Sequence, residues 1–194
     1  MSYYFWRSSL LLLILSTIAC SDTSYQWRLI DITGYRPALS LTMQSTKHPH
    51  TVTATDFINK VVVLNFGFTH CRDVCPIGLH QLKQVLAQVK HPDLVVLFVS
   101  VDPKRDTLDK LRQYTQAFDD NIIGLTHDMA SVRALANRYK ASVDVGDSDE
   151  TGHYDIAHDQ TMTVFDREGK ARLLIRPDHS TDEIVSDLQR LLQL

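Results

Sequence analysis

Two nearly uninterrupted apolar runs, VVVLNFGF at 61–68 and LVVLFVSV at 94–101, leave this chain few ways to fold. Both are rich in β-branched and aromatic residues, the composition of strands buried on both faces. Between them Leu82, Val85, Leu86 and Val89 recur at helical spacing after Pro76, a residue welcome at the start of a helix. A buried strand, a helix and a second buried strand make a right-handed βαβ unit with parallel strands. Their carboxyl ends then lie together, on the edge where open α/β sheets place their sites.

The flanking segments extend this unit. Trp27 to Leu41 reads as two short strands about a turn at Gly34 and Pro37, and Thr55 or Asp56 caps a brief helical turn. Thr107 caps a helix with Leu111, Tyr114 and Phe118 on its inner stripe, and Val132, Leu135, Ala136 and Tyr139 form the stripe of another. Ile122 to Leu125 is a short strand, and the acidic, glycine-punctuated segment 144–155 reads as a loop. Gln160 to Phe165 and Ala171 to Ile175 form a hairpin across Asp166-Arg167-Glu168-Gly169. Thr181 opens a final helix with Ile184, Leu188, Leu191 and Leu192 facing inward. This order predicts an α/β domain with a thioredoxin-like fold over 28–194, a central mixed β-sheet flanked by helices.

The amino terminus is a different kind of sequence. Residues 8–20, SSLLLLILSTIAC, form an apolar core after Arg7 and end in small residues, the pattern of an export signal. The run is short for a membrane span. Its Ala19-Cys20 ending resembles the lipobox of bacterial lipoproteins, which implies lipid on Cys20. The expected division is a signal or lipoprotein-type segment at 1–20, a polar tether at 21–27 and the domain at 28–194. The domain would then face the oxidising periplasm, anchored to a bacterial membrane. A formal charge of −3 offers no attraction for nucleic acid.

Cys71 and Cys75 stand where the first buried strand meets its helix. With Pro76 opening that helix, both thiols are expected just before its N-terminus, where the dipole and Arg72 favour thiolates. Two thiols on a loop at a strand's carboxyl end make either a soft metal clamp or a redox couple. Among the histidines, His70 reads as a loop residue and His48 and His50 as a solvated surface pair. His153, in the acidic loop, is a weaker candidate for an alternative ligand. Asp73 lies on the exposed turn, and Thr69 and Arg72 only loosely suggest a peroxide-reducing site.

FGFTHCRDVCP at 66–76, FVSVDPKRDT at 98–107 and HDQTMTVFD followed by REG at 158–169 together resemble the Sco/SenC proteins. Those are thioredoxin-fold copper proteins that assist cytochrome c oxidase assembly. The resemblance runs in order over roughly 28–194. It implies that Cys71, Cys75 and His158 are ligands for Cu(I), Cu(II) or both, with Asp102 and its Asp-Pro turn shaping the site. The partners it implies are a copper donor chaperone and the copper-bearing subunit of cytochrome c oxidase, or another periplasmic copper protein. It also allows the same two cysteines to act as a thiol-disulfide oxidoreductase. Arg72 stands where the family usually has proline, and Asp159-Gln160 where it tends to have a small hydroxyl or apolar residue.

Overall fold

The valine-rich strand β4 (Val61–Gly67) is buried along its whole length and forms the middle of the molecule. In this computed structural model, which describes residues 25–150 and 154–194, it is flanked by β1 (Ile30–Asp31), β2 (Thr42–Ser45) and β3 (Val52–Thr53) before it in sequence, and by β5 (Leu94–Ser100) and β6 (Ile122–Thr126) after it. The strands β7 (Val143–Val145) and β8 (Ile156–His158) form a separate two-stranded ribbon, and β9 (Met162–Phe165) and β10 (Ala171–Ile175) form the last hairpin. The main sheet has the order β1-β10-β9-β4-β5-β6-β2-β3. β4 pairs in parallel with β5, and β5 with β6, while β9 runs antiparallel on the other side of β4. This is the expected mixed sheet.

Helices α1 (Val74–Val89), α2 (Leu108–Gln116), α3 (Met129–Arg138) and α4 (Thr181–Leu192) cover it on both faces. Alternation along β4 divides the core. Val61 and Val63 pack with Leu79, Leu82 and Leu188 on one face, and Val62, Leu64 and Phe66 pack with Val132 and Tyr139 on the other. Each fully buried leucine or valine contributes about 1.5–3 kcal/mol relative to exposure.

Several boundaries differ from the sequence reading, each for a local reason. α1 begins at Val74, not Pro76, so Cys75 lies in its first turn. Proline is tolerated there because the first four helical N–H groups lack partners anyway. Between Trp27 and Leu41 only β1 forms, and the next strand starts at Thr42. The 3₁₀ turn Ala54–Phe57 is capped by Thr53 in a reciprocal box with Asp56, and Ser180 with Glu183 does the same for α4. Thr107 caps α2 as its hydroxyl suggests. Gly169, at φ +73, completes the β9–β10 turn where a side chain would be strained.

The segment expected to be a loop from 144 onward instead enters a strand, since β7 extends to Val145 and pairs with β8. At the amino end, the Tyr25 hydroxyl and the Arg28 and Leu29 amides all donate to buried Asp187 of α4. The last residues of the expected tether therefore already touch the domain. The export segment, Cys20 and His153 lie outside the described residues.

Candidate metal centre

β4 ends in Gly67, and the turn 68–73 that follows carries Cys71 to the mouth of α1. Asp106, wholly buried, holds this turn from the neighbouring β5–α2 connection. Its carboxylate accepts from the Thr69 amide at 3.0 Å, the Thr69 hydroxyl at 2.6 Å and the Ser100 hydroxyl at 2.7 Å. Gly67 is needed for close approach. A Cβ there would lie 2.5 Å from the Phe98 ring and 3.1 Å from Cys75 Sγ.

Cys71 is partly exposed, whereas Cys75 is 4% exposed beneath it, and both are free thiols. The expectation of lowered thiol pKa values at the helix start fails for Cys75. Burial pushes it up to about 12, with the closeness of Cys71 adding to the rise and a hydrogen bond from the Phe68 backbone only partly offsetting it. Desolvation disfavours the thiolate more than the helix terminus favours it.

His158 arrives from the far side of the sequence. It is the last residue of β8, paired with Val143, and stands just before the β9–β10 hairpin. Its Nδ1 lies 2.9 Å from the Asp159 carbonyl, which accepts only a hydrogen, so Nδ1 carries the proton. Nε2 is then the free lone pair, and it lies 3.2 Å from Cys75 Sγ, which donates to it. The ligand atoms of Cys71, Cys75 and His158 all fall within 4.8 Å of one another.

Asp102 does not join this cluster directly. It is fully buried, accepts from the Tyr154 hydroxyl at 2.6 Å and pairs with the Arg105 guanidinium. Arg105 lies 3.8 Å over the Tyr154 ring and donates to the Tyr154 carbonyl. It also faces Phe68, whose ring meets His158 edge-on at 5.9 Å between centroids. Asp102 thus holds the base of the β7–β8 ribbon and shapes the site through it. Arg105, Asp106 and Tyr154 were not singled out from the sequence. The first two lie in the DPKRDT segment, but nothing local to HYD at 153–155 marks Tyr154.

The remaining sequence candidates stay apart from the thiols. His70 is exposed and lies 3.6 Å from Asp106 Oδ1. His48 and His50 meet at a tilt with ring centroids 5.6 Å apart, and His50 is bonded to Asp56. Arg72 and Asp73 are exposed on the turn. The group His70, Asp102 and Asp106 also lies within 4.8 Å, but its carboxylates are already engaged by Thr69, Ser100, Arg105 and Tyr154. Two thiols and an imidazole form a soft donor set that suits Cu(I), and a closed zinc site would require a fourth strong ligand.

A family profile described as SCO1/SenC matches residues 40–193. The human mitochondrial protein SCO1 homolog is 34% identical over 122 residues, covering 61% of this chain and 40% of that protein. The chain spans about half the length of the curated relatives it matches. The apo Sco1 solution structure from Thermus thermophilus is 31% identical with a TM-score of 0.75, covering 87% of this chain and 99% of that one. Copper-bound ScoI from Bradyrhizobium japonicum is 26% identical with a TM-score of 0.72, covering 79% and 98%.

Proposed function

This chain belongs to the SCO1/SenC family, and on that premise we propose that it is a periplasmic copper metallochaperone, anchored to the membrane through its amino terminus. Copper is its cargo, received from a donor chaperone and passed to the binuclear copper site of cytochrome c oxidase during assembly. The observation that carries this reading is the meeting of Cys71, Cys75 and His158 from two distant segments within 4.8 Å. The proposed division is a processed segment at 1–20 with lipid on Cys20, a short tether to 27, and the copper-carrying domain at 28–194. Export and lipidation rest on the sequence pattern.

The protein's own groups have distinct tasks. Asp159 keeps the proton on His158 Nδ1, so Nε2 is always presented as the donor nitrogen. Cys75 stays a neutral thiol while its site is dry, and its proton must leave as the ion arrives. Cys71, on the exposed side, is the first sulfur an incoming or departing ion meets. A site of three protein ligands with one open side suits transfer, because a receiving ligand can enter before the last one leaves.

A second reading, thiol-disulfide exchange, is favoured by the two neighbouring free thiols. The Cys71 thiolate would attack a partner disulfide, and Cys75 would then resolve the mixed disulfide, leaving a Cys71–Cys75 bond and a reduced partner. His158 separates the two. Anaerobic copper titration of the reduced protein is expected to give one tightly held ion, lost in Cys71→Ala, Cys75→Ala and His158→Ala alike. Absence of binding above background, with ready formation of an internal disulfide, would replace the chaperone reading by the redox one.

A further inference from the structure

One polar residue of β4 lies next to the thiols. Asn65 sits in the middle of β4, where every neighbour is apolar or glycine, and is 5% exposed. Among the described residues its carboxamide has no hydrogen-bond partner. The carboxamide is not wholly enclosed, so it can pair with water or with a ligand that enters beside it. The side chain lines a cleft of about 140 Å³, together with Cys75, Ile77, His158, Met162 and Pro177. Gly67, two residues on and on the same face of β4, is the position whose missing Cβ leaves room for Cys75 Sγ. Strand geometry puts those two positions about 7 Å apart.

The dimensions restrict what can enter. Drug-sized ligands occupy roughly 300–1,000 Å³, while an apolar cavity of about 150 Å³ holds one benzene ring. The cleft therefore takes one small ring between Ile77, Met162 and Pro177. Asn65 offers it a carboxamide and Cys75 and His158 offer the thiol and imidazole of the metal centre, while Gln81, Gln160 and Arg176 add polar groups to its lining. A phenol can satisfy Asn65 but brings no second donor for a soft metal. A thioether brings a metal donor but no hydrogen for Asn65. An imidazole brings both, one ring N–H for the carboxamide oxygen and a second nitrogen for the metal.

We infer that this cleft receives a histidine side chain of the partner protein, with Asn65 holding one ring nitrogen so that the other takes the cargo ion beside Cys75 and His158. The inference rests on the metallochaperone reading. No oxidation state changes in the exchange. The partner nitrogen's bond to the ion forms as the Cys75 sulfur's bond breaks, and that sulfur takes up a proton from water. Ile77, 65% exposed on the cleft rim, supplies the apolar contact for the approaching segment.

The test uses imidazole as probe on the reduced, metal-free full chain at pH 8, following the Met162 methyl and Asn65 carboxamide signals by NMR. Saturable shifts are expected in the wild type. Asn65→Leu, which suits a buried strand and should melt no lower than the wild type, is expected to weaken binding roughly tenfold, within what one hydrogen bond supplies. The probe 1-methylimidazole, lacking the N–H, should bind wild type as weakly as imidazole binds Asn65→Leu. Equal affinity of both probes for both proteins, or no saturation in the wild type, overturns the inference. Failure of the separately titrated protein to bind copper would sink the chaperone reading instead and leave the imidazole result standing.

Discussion

The Tyr154 hydroxyl donates to Asp102 Oδ1 at 2.6 Å, and this bond ties the ribbon carrying His158 to the turn that follows β5. Arg105 closes the same junction by pairing with Asp102 and lying against the Tyr154 ring. The histidine's placement beside the thiols thus depends on groups that are not themselves metal donors.

Tyr154→Phe keeps the ring for Arg105 but removes one partner of a buried carboxylate. Leaving that oxygen short of a hydrogen bond is expected to cost about 1–3 kcal/mol, read by urea unfolding. Copper affinity should fall less than in His158→Ala, because the ligand is loosened and not removed. A competition titration of both variants checks the order, and an equal loss in the two would contradict the arrangement described.

Gly67→Ala brings a methyl 2.5 Å from the Phe98 ring and 3.1 Å from Cys75 Sγ. Overpacking of this kind costs about 1–3 kcal/mol. Because the Phe98 ring is fully buried, part of the strain will be relieved by moving Cys75, so metal binding should weaken along with the melting temperature. A variant that melts lower yet binds copper as the wild type does would show that the sulfur is not held by this contact.

The two thiols should alkylate at very different rates in the metal-free protein. Cys75 is buried and its pKa is pushed up to about 12, so at pH 8 only about one part in ten thousand is thiolate. In Cys71→Ser the remaining thiol should react slowly with iodoacetamide, and its rate should rise about tenfold per pH unit while the fold persists. In Cys75→Ser the partly exposed Cys71 should be modified readily. Comparable rates at pH 8, followed by mass spectrometry, would contradict the burial of Cys75.

Acid stability should depend on Asp93. Hydrogen bonds from Lys60 Nζ at 2.7 Å and Arg167 Nη1 at 2.9 Å hold its carboxyl at about 2, against about 3.9 in an unfolded chain. The folded pKa is the lower one, so this contribution is present above about pH 4 and is lost as pH falls toward 2. Asp93→Asn should therefore flatten the dependence of unfolding free energy on pH in that window. An unchanged slope would assign the acid sensitivity to other carboxylates.

The sequence by itself determined the layered α/β architecture, because runs such as 61–67 and 94–100 can satisfy their backbone groups only as interior strands between helices. It also marked Cys71 and Cys75 as a thiol pair, since residue type and spacing are local properties, whereas His158 entered only through the resemblance of its segment to the Sco/SenC family. A local signal likewise found the cap at Thr107, whereas the short turn before β4 is capped by Thr53 and not by Thr55 or Asp56. What only the tertiary structure decided is how those residues are tuned. The helix start favours a thiolate in sequence terms, yet Cys75 is held neutral by the packing of Phe98, Gly67 and α1 around it. Asp102 was legible as part of a turn, but its role through Tyr154 depends on a contact between residues 52 positions apart. Asn65 looks like one polar interruption in an apolar strand, and only the fold shows that its carboxamide faces the cleft beside the thiols. Burial and long-range hydrogen bonding are sums over many distant residues, so they become defined only when the sheet has brought those residues together.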